Sequence, residues 1–156
     1  MSVKDKLARP FEPKRLHWRV GATSKDKKKA IALAYIDARD VMKRLDDVMG
    51  DDWQCKYSHI QDGIVICEIG LLINNEWRWR SNGAGDTNVE AEKGKLSDAF
   101  KRAAVLWGVG RYLYSLPNTW VEIDQYKKLK TIPVLPAWAT PTGYDEIIKM
   151  RTEVEK

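Results

Sequence analysis

A chain of 156 residues, 44% hydrophobic and 31% charged, has room for one domain with its own core and the balance of an ordinary globular protein. No apolar run approaches the ~18 residues of a membrane span and no signal-peptide pattern opens the chain. Two cysteines and two histidines are too few for a disulfide framework or a Cys/His metal centre, which suits a reducing cytoplasm.

The net charge of +5 is unevenly placed: residues 1–29 hold ten Lys/Arg against three Asp/Glu, leaving the rest slightly acidic. This basic arm, with "PKRLHWRV" and "SKDKKK", embeds Trp18. A local cationic excess around an aromatic fits a polyanion partner; the plainer alternative is a solvated tail. Residues 1–25 read as irregular, broken by Pro10 and Pro13.

From about Lys27 the pattern turns helical. Ile31, Ala34/Tyr35, Ala38, Val41/Met42, Leu45 and Val48/Met49 recur at spacings of three and four, Asp40 and Arg44 form an i,i+4 pair, and Gly50 marks the stop. A three-stranded antiparallel meander is expected next. Trp53, Cys55, Tyr57 and His59 alternate with polar residues, "IVICEIGLLI" is β-branched and apolar, and "EWRWRS" alternates Trp with Arg.

Face consistency sets the expected register, because a slip of one residue turns every side chain over. A loop of Gln61-Asp62-Gly63 aligns Val65, Cys67, Ile69 and Leu71 with His59, Tyr57, Cys55 and Trp53, with Gly63 in the left-handed position. A loop of Asn74-Asn75-Glu76 sets Trp77 and Trp79 beside Ile73 and Leu71. One face is then aromatic and aliphatic core. The other carries Lys56, Ser58, Glu68, Arg78 and Arg80, with Gly70 leaving open space beside the arginines.

A long helix is predicted from the Thr87-x-x-Glu90 capping box through Leu106/Trp107, with Leu96, Ala99/Phe100, Ala103 and Leu106/Trp107 buried. Gly94 inside it implies a bend or a close backbone approach, at a cost of about 1 kcal/mol relative to Ala. Gly108 and Gly110 end it. On the wheel Lys95, Asp98 and Arg102 form one outward row and Lys93, Ser97 and Lys101 the next. Cations facing water are normal for an amphipathic helix. Arg78 and Arg80, expected to point outward from the preceding strand, favour a second reading: helix and hairpin as two walls of a phosphate groove. Beyond the helix, "RYLYSL" and "WVEI" read as short strands or extended segments, "TIPVLPAWATPTG" as an extended crossing, and Asp145 onward as a short helix.

Other chemistries find little support. No Gly-rich phosphate loop opens a helix, and no Ser/Cys–His arrangement has context. Asp46, Asp47, Asp51 and Asp52 are dense enough to ligate a divalent cation, but a solvated helix end is the favoured explanation. The apolar faces assign Trp53, Trp77, Trp79 and Trp107 to the core, leaving Trp18 and Trp120 open to base stacking.

"AYIDARDVMKRLDDVMGDDW", then three strands, then "EKGKLSDAFKRAAVLWGVGRYLY" resembles the single-strand DNA annealing proteins of the Rad-fifty-two superfamily, and most of all their short phage members of the Sak type. The resemblance runs from about Arg9 to Ala139. It implies a single-stranded DNA partner, annealing without nucleotide hydrolysis, no cofactor or metal, and self-assembly into a ring or helical filament. The setting implied is recombination and repair in the cytoplasm of a bacterial host, from a phage or prophage. Lys101 and Arg102 fall on the family's inner-groove pair and Lys93 on a basic position one or two turns earlier. The family's third basic residue of this helix falls at Val105, and its first-helix arginine at Asp40, beside Arg39. A single-strand-binding protein is a further candidate partner, although the long C-terminal region that serves such contacts in eukaryotic members is not expected here.

The expectation is therefore an α+β helix–meander–helix fold. Residues 1–25 form a basic arm, 26–140 an annealing core and 141–156 a C-terminal segment. Phosphates would be held by Lys101, Arg102, Arg78, Arg80, Lys93, Lys95, Arg39 and Lys56. The alternatives are a nucleic-acid chaperone working through its basic arm and a metal-dependent nuclease built on the aspartates.

Overall fold

The computed structural model describes residues 1–60, 63–85 and 91–155, with side chains throughout except at 60 and 91–93. In chain order it contains α1 (Val3–Ala8), β1 (His17–Thr23), β2 (Lys29–Tyr35), α2 (Ala38–Met49), β3 (Trp53–Ile60), β4 (Ile64–Ile73), β5 (Glu76–Ala84), α3 (Ala91–Leu106), β6 (Trp120–Glu122) and α4 (Pro141–Glu155). The described strands form two antiparallel sheets, β1-β2-β6 and β3-β4-β5. The class is α+β, as expected. Two compact units divide the chain: Met1–Ala8 with Asp37–Arg111, and Arg9–Ile36 with Tyr112–Lys156.

In the first unit, α1 is closed at both ends. The Asp5 N–H donates to Ser2 Oγ (3.1 Å), and the Ser2 N–H donates to the Asp5 carboxylate (3.3 Å). Arg44 of α2 donates to the last-turn carbonyls of Lys6 and Leu7. Gly50 stops α2 as the sequence indicates, at φ +57° with its N–H on the Asp46 carbonyl. β4 is the centre of the sheet, and α3 packs across β4 and β5. Val65, Cys67, Ile69 and Leu71 of β4 are buried together with Ala99, Phe100, Ala103 and Ala104 of α3. Trp107 closes this layer, its Nε1–H donating to the Ile69 carbonyl at 3.0 Å.

The first hairpin has the expected register: Trp53, Cys55, Tyr57 and His59 lie opposite Leu71, Ile69, Cys67 and Val65, and Gly63 takes φ +74°. Residues 61 and 62 of its loop, and the Thr87–Glu90 capping box, lie outside the described residues. Gly94 is not a point of close approach: a Cβ there would meet nothing within 4 Å.

The N-terminal and C-terminal segments depart from the sequence expectation. Residues 1–25 are not irregular but supply α1, a 3-10 turn at Pro13–Arg15 and β1. The helix expected from Lys27 begins only at Ala38, and "KAIALAY" is instead β2, between β1 and β6. That stretch satisfies both periods. Ala30 and Ala32 alternate into the core as strand residues, while Ile31 and Ala34/Tyr35 also fit a helical stripe. Pairing on both edges, Trp18 with Ala34 and Ile31 with Trp120, decides for the strand. "WVE" is a strand, but "RYLYS" forms a 3-10 turn. The terminal helix starts four residues earlier than expected, with Pro141 in its first turn and the Gly143 N–H on Thr140 Oγ1 (3.2 Å). Arg9 holds Asp145 of this helix through two hydrogen bonds of 2.9 and 2.8 Å.

Candidate nucleic-acid interface

The turn between β4 and β5 determines where the candidate residues point. It contains two residues, Asn74 and Asn75, both left-handed at φ +52° and +62°. This is the primed turn whose twist matches a hairpin, and asparagine tolerates it well. Ile73 therefore pairs with Glu76, not Trp77, and everything in β5 is turned over relative to expectation. Arg78 and Arg80 lie opposite Leu71 and Ile69, on the α3 side of the sheet. Trp77 and Trp79 lie opposite Leu72 and Gly70, on the other side with Lys56 and Glu68. These two tryptophans are thus not in the core. Gly70 leaves no open space either: the Trp79 ring lies on it, where a Cβ would come within 2.9 Å.

Arg80 reaches past the sheet to the end of α3. Its guanidinium stacks over the Trp107 ring (4.1 Å to the centroid) and donates to the Leu106 carbonyl at 2.6 Å. Arg102, four residues before Leu106, is exposed beside β5, with Nη1 3.5 Å from the Gly83 carbonyl. Arg78 is half-exposed and pairs with Glu76 at 3.6 Å. Lys101 is half-buried, 4.0 Å from Asp98. The rotation of α3 differs from the wheel: Leu96 is 46% exposed, whereas Lys95, expected on the outward row, is 7% exposed. Lys95 is therefore not a free cation of this surface. The cause is α3's seat against both β4 and β5, which turns the Lys95–Ala99 edge inward.

Arg111, which sequence reasoning passed over, joins this cluster. Past Leu106 the chain turns back through Gly108 and Gly110, at φ +99° and +74°. Arg111 Nε then donates to the Val105 carbonyl (3.0 Å) and Nη2 to the Leu106 carbonyl (2.7 Å). The signal available beforehand was an arginine directly after a glycine-terminated helix with no basic residue in its own last turn.

The sequence matches a family described as "Rad52/22 family double-strand break repair protein" over residues 1–131. The chain belongs to that family. Among its Rad52/22 relatives is the "Single-stranded DNA-binding protein DdrA" of Deinococcus radiodurans, 36% identical over 141 residues, covering 89% of this chain and 68% of the relative. The protein of the same name from Deinococcus deserti is 36% identical over 141 residues, covering 89% and 70%. No solved structure matches the chain.

The positions carried over from the Rad-fifty-two resemblance are only partly brought together in this Rad52/22 chain. Arg102, Arg80 and Arg111 line the β5 side and the end of α3, with Lys101 on the next row. The Lys93 side chain lies outside the described residues. Arg39 is exposed in the first turn of α2, with no hydrogen bond or ion pair to that cluster among the described residues. Lys56 sits on the opposite sheet face, its Nζ 4.3 Å from the Trp79 ring centroid. Trp53 and Trp107 are structural, Trp53 donating to Asp46 at 2.9 Å. Trp18 lines an apolar cleft of about 310 Å³ with Pro13, Ile132, Val134 and Thr140, and Trp120 is half-exposed. The aspartates do not converge: Asp46 serves Trp53, Asp47 pairs with Lys43 at 2.8 Å, and among the described residues no group of three His, Cys, Asp or Glu is placed to hold a metal ion. Burial pushes the pKa of the Cys55 thiol up, and that of Cys67, beneath α3, up to about 12.

Proposed function

We propose that this protein binds single-stranded DNA and anneals complementary strands during double-strand break repair, without hydrolysing nucleotide and without breaking bonds itself. The observation that supports this most is the α3–β5 seam. There Arg80, Arg102 and Arg111 stand exposed with no carboxylate against any of them among the described residues, in a Rad52/22 chain 36% identical to single-stranded DNA-binding proteins. Arginines without a carboxylate partner attract phosphates, and releasing the counterions condensed on the strand supplies the binding free energy. Neutralised phosphates let two strands approach, and bases turned away from the protein can test pairing.

Lys101 and Arg78 extend the same track, while Arg39, Lys93 and Lys56 belong to it only if the strand continues beyond this seam. Lys95 contributes charge from below the surface. The reading includes self-assembly into a ring or helical filament and action in the cytoplasm. Electron micrographs with and without single-stranded DNA test the assembly.

The test of the seam is the double variant Lys101→Ala/Arg102→Ala. Each cation removed leaves one phosphate unneutralised, so the slope of log K against log salt for an oligothymidylate should fall by about 1.4. Annealing of complementary oligonucleotides should slow as well. Parent-like binding and annealing would show that the strand lies elsewhere.

A further inference from the structure

Arg80 and Arg111 come from different elements, yet their guanidinium groups end on one atom, the Leu106 carbonyl oxygen, at 2.6 and 2.7 Å. A single cation is enough to satisfy a helix end. Here two permanent charges converge on one neutral acceptor, and the partial charge of the α3 terminus, roughly half an elementary unit, offsets only part of them. No carboxylate lies against either among the described residues, and both side chains are exposed.

The pair is also held in place. Trp107 fixes the plane of the Arg80 guanidinium, and two carbonyls fix that of Arg111. Each retains unused N–H donors, since a guanidinium has five and these contacts take only some of them. Two like charges held close together repel, and an anion placed between them relieves that repulsion while using the spare donors. Arg102 stands four residues before Leu106 on the same row of α3, about 6 Å back along the axis. The fork therefore continues a line of cations that starts on the helix itself.

We propose that Arg80 and Arg111 form a phosphate fork at the C-terminal end of α3, taking a backbone phosphodiester of the bound single strand. The proposal rests on the DNA-binding reading and adds Arg111 to it. It also gives the Val105 position a physical solution: the cation arrives at the Val105 carbonyl from beyond the helix, not from its side chain.

The experiment compares the full chain with Arg111→Gln and Arg111→Lys, measuring fluorescence anisotropy of a labelled oligothymidylate over a potassium chloride series and thermal unfolding of each protein. Gln keeps donors for the carbonyls but loses the charge, so the midpoint should hold while the salt slope falls by about 0.7. Lys keeps the charge and should restore the slope. If Arg111→Gln retains the parent slope while Lys101→Ala/Arg102→Ala still lowers it, Arg111 is only a helix cap: the fork is overturned and the DNA reading stands. A parent chain with no salt-dependent binding overturns that reading and the fork with it.

Discussion

Cys67 and Tyr57 face each other across β4 and β3, and burial drives both side-chain pKa values up to about 12. An unfolded thiol ionises near 8.5, so the unfolded chain releases a proton that folded Cys67 keeps. This contribution to stability is complete below the unfolded value and is lost as pH rises from roughly 8.5 toward 12. Urea unfolding at several alkaline pH values should show stability falling less steeply in Cys67→Ala than in the parent. Equal slopes would mean that the thiol already ionises in the fold. Asp145 has the opposite sign. Its hydrogen bond with Arg9, ahead of their Coulombic attraction, keeps the carboxyl below its usual range, so the pair is intact at neutral pH and weakens only in acid. Such effects could not be foreseen from residue types alone, because each depends on what burial or a remote chain segment places beside the group.

At the scale of elements, one turn reassigns a whole strand. Burial of Trp77 and Trp79 in the core would require a β4–β5 loop one residue longer. Asn74 and Asn75 instead adopt the left-handed pair that a two-residue hairpin requires, and local backbone geometry outweighs the preference of Trp77 and Trp79 for burial. Trp79 is compensated by lying over Gly70 beside Lys56. The first hairpin was legible because apolar alternation on both strands and the glycine at 63 point to the same register. In α3, Gly94 has room for a side chain, so Gly94→Ala should raise stability by about 1 kcal/mol through helix propensity, read as a higher urea midpoint. A lower midpoint would show that the backbone at 94 needs a conformation alanine resists.

For the molecule as a whole, the basic N-terminus is not a detachable arm. Met1–Ala8 is built into the first unit, and β1 pairs along β2 in the second. Removing residues 1–25 would strip α1 and an edge strand, and cooperative unfolding should be lost, so the deletion cannot distinguish binding by the seam from binding by the arm. Replacing the exposed hairpin-tip lysines can. Lys25→Ser/Lys27→Asn/Lys28→Ser keeps the turn, with asparagine tolerating the left-handed φ of +60° at 27. Single-strand binding in this triple variant should persist, because the seam arginines are untouched. Abolished binding with unchanged unfolding would favour a chaperone working through its basic segment.

From the sequence alone follow the α+β class, the three-stranded meander, the first hairpin's register, the end of α2 at Gly50, the long helix with its Lys101-Arg102 pair and the family. In these segments one period or one turn signal dominates, so neighbouring residues suffice to determine the outcome. Tertiary structure alone decided that "KAIALAY" is a strand, that α3 turns Lys95 inward and Leu96 outward, and that Arg80 and Arg111 meet at Leu106. Where local preferences tie, the decision passes to hydrogen-bond partners and packing surfaces distant in the chain. Two arginines thirty-one positions apart become one charged feature only when the fold closes.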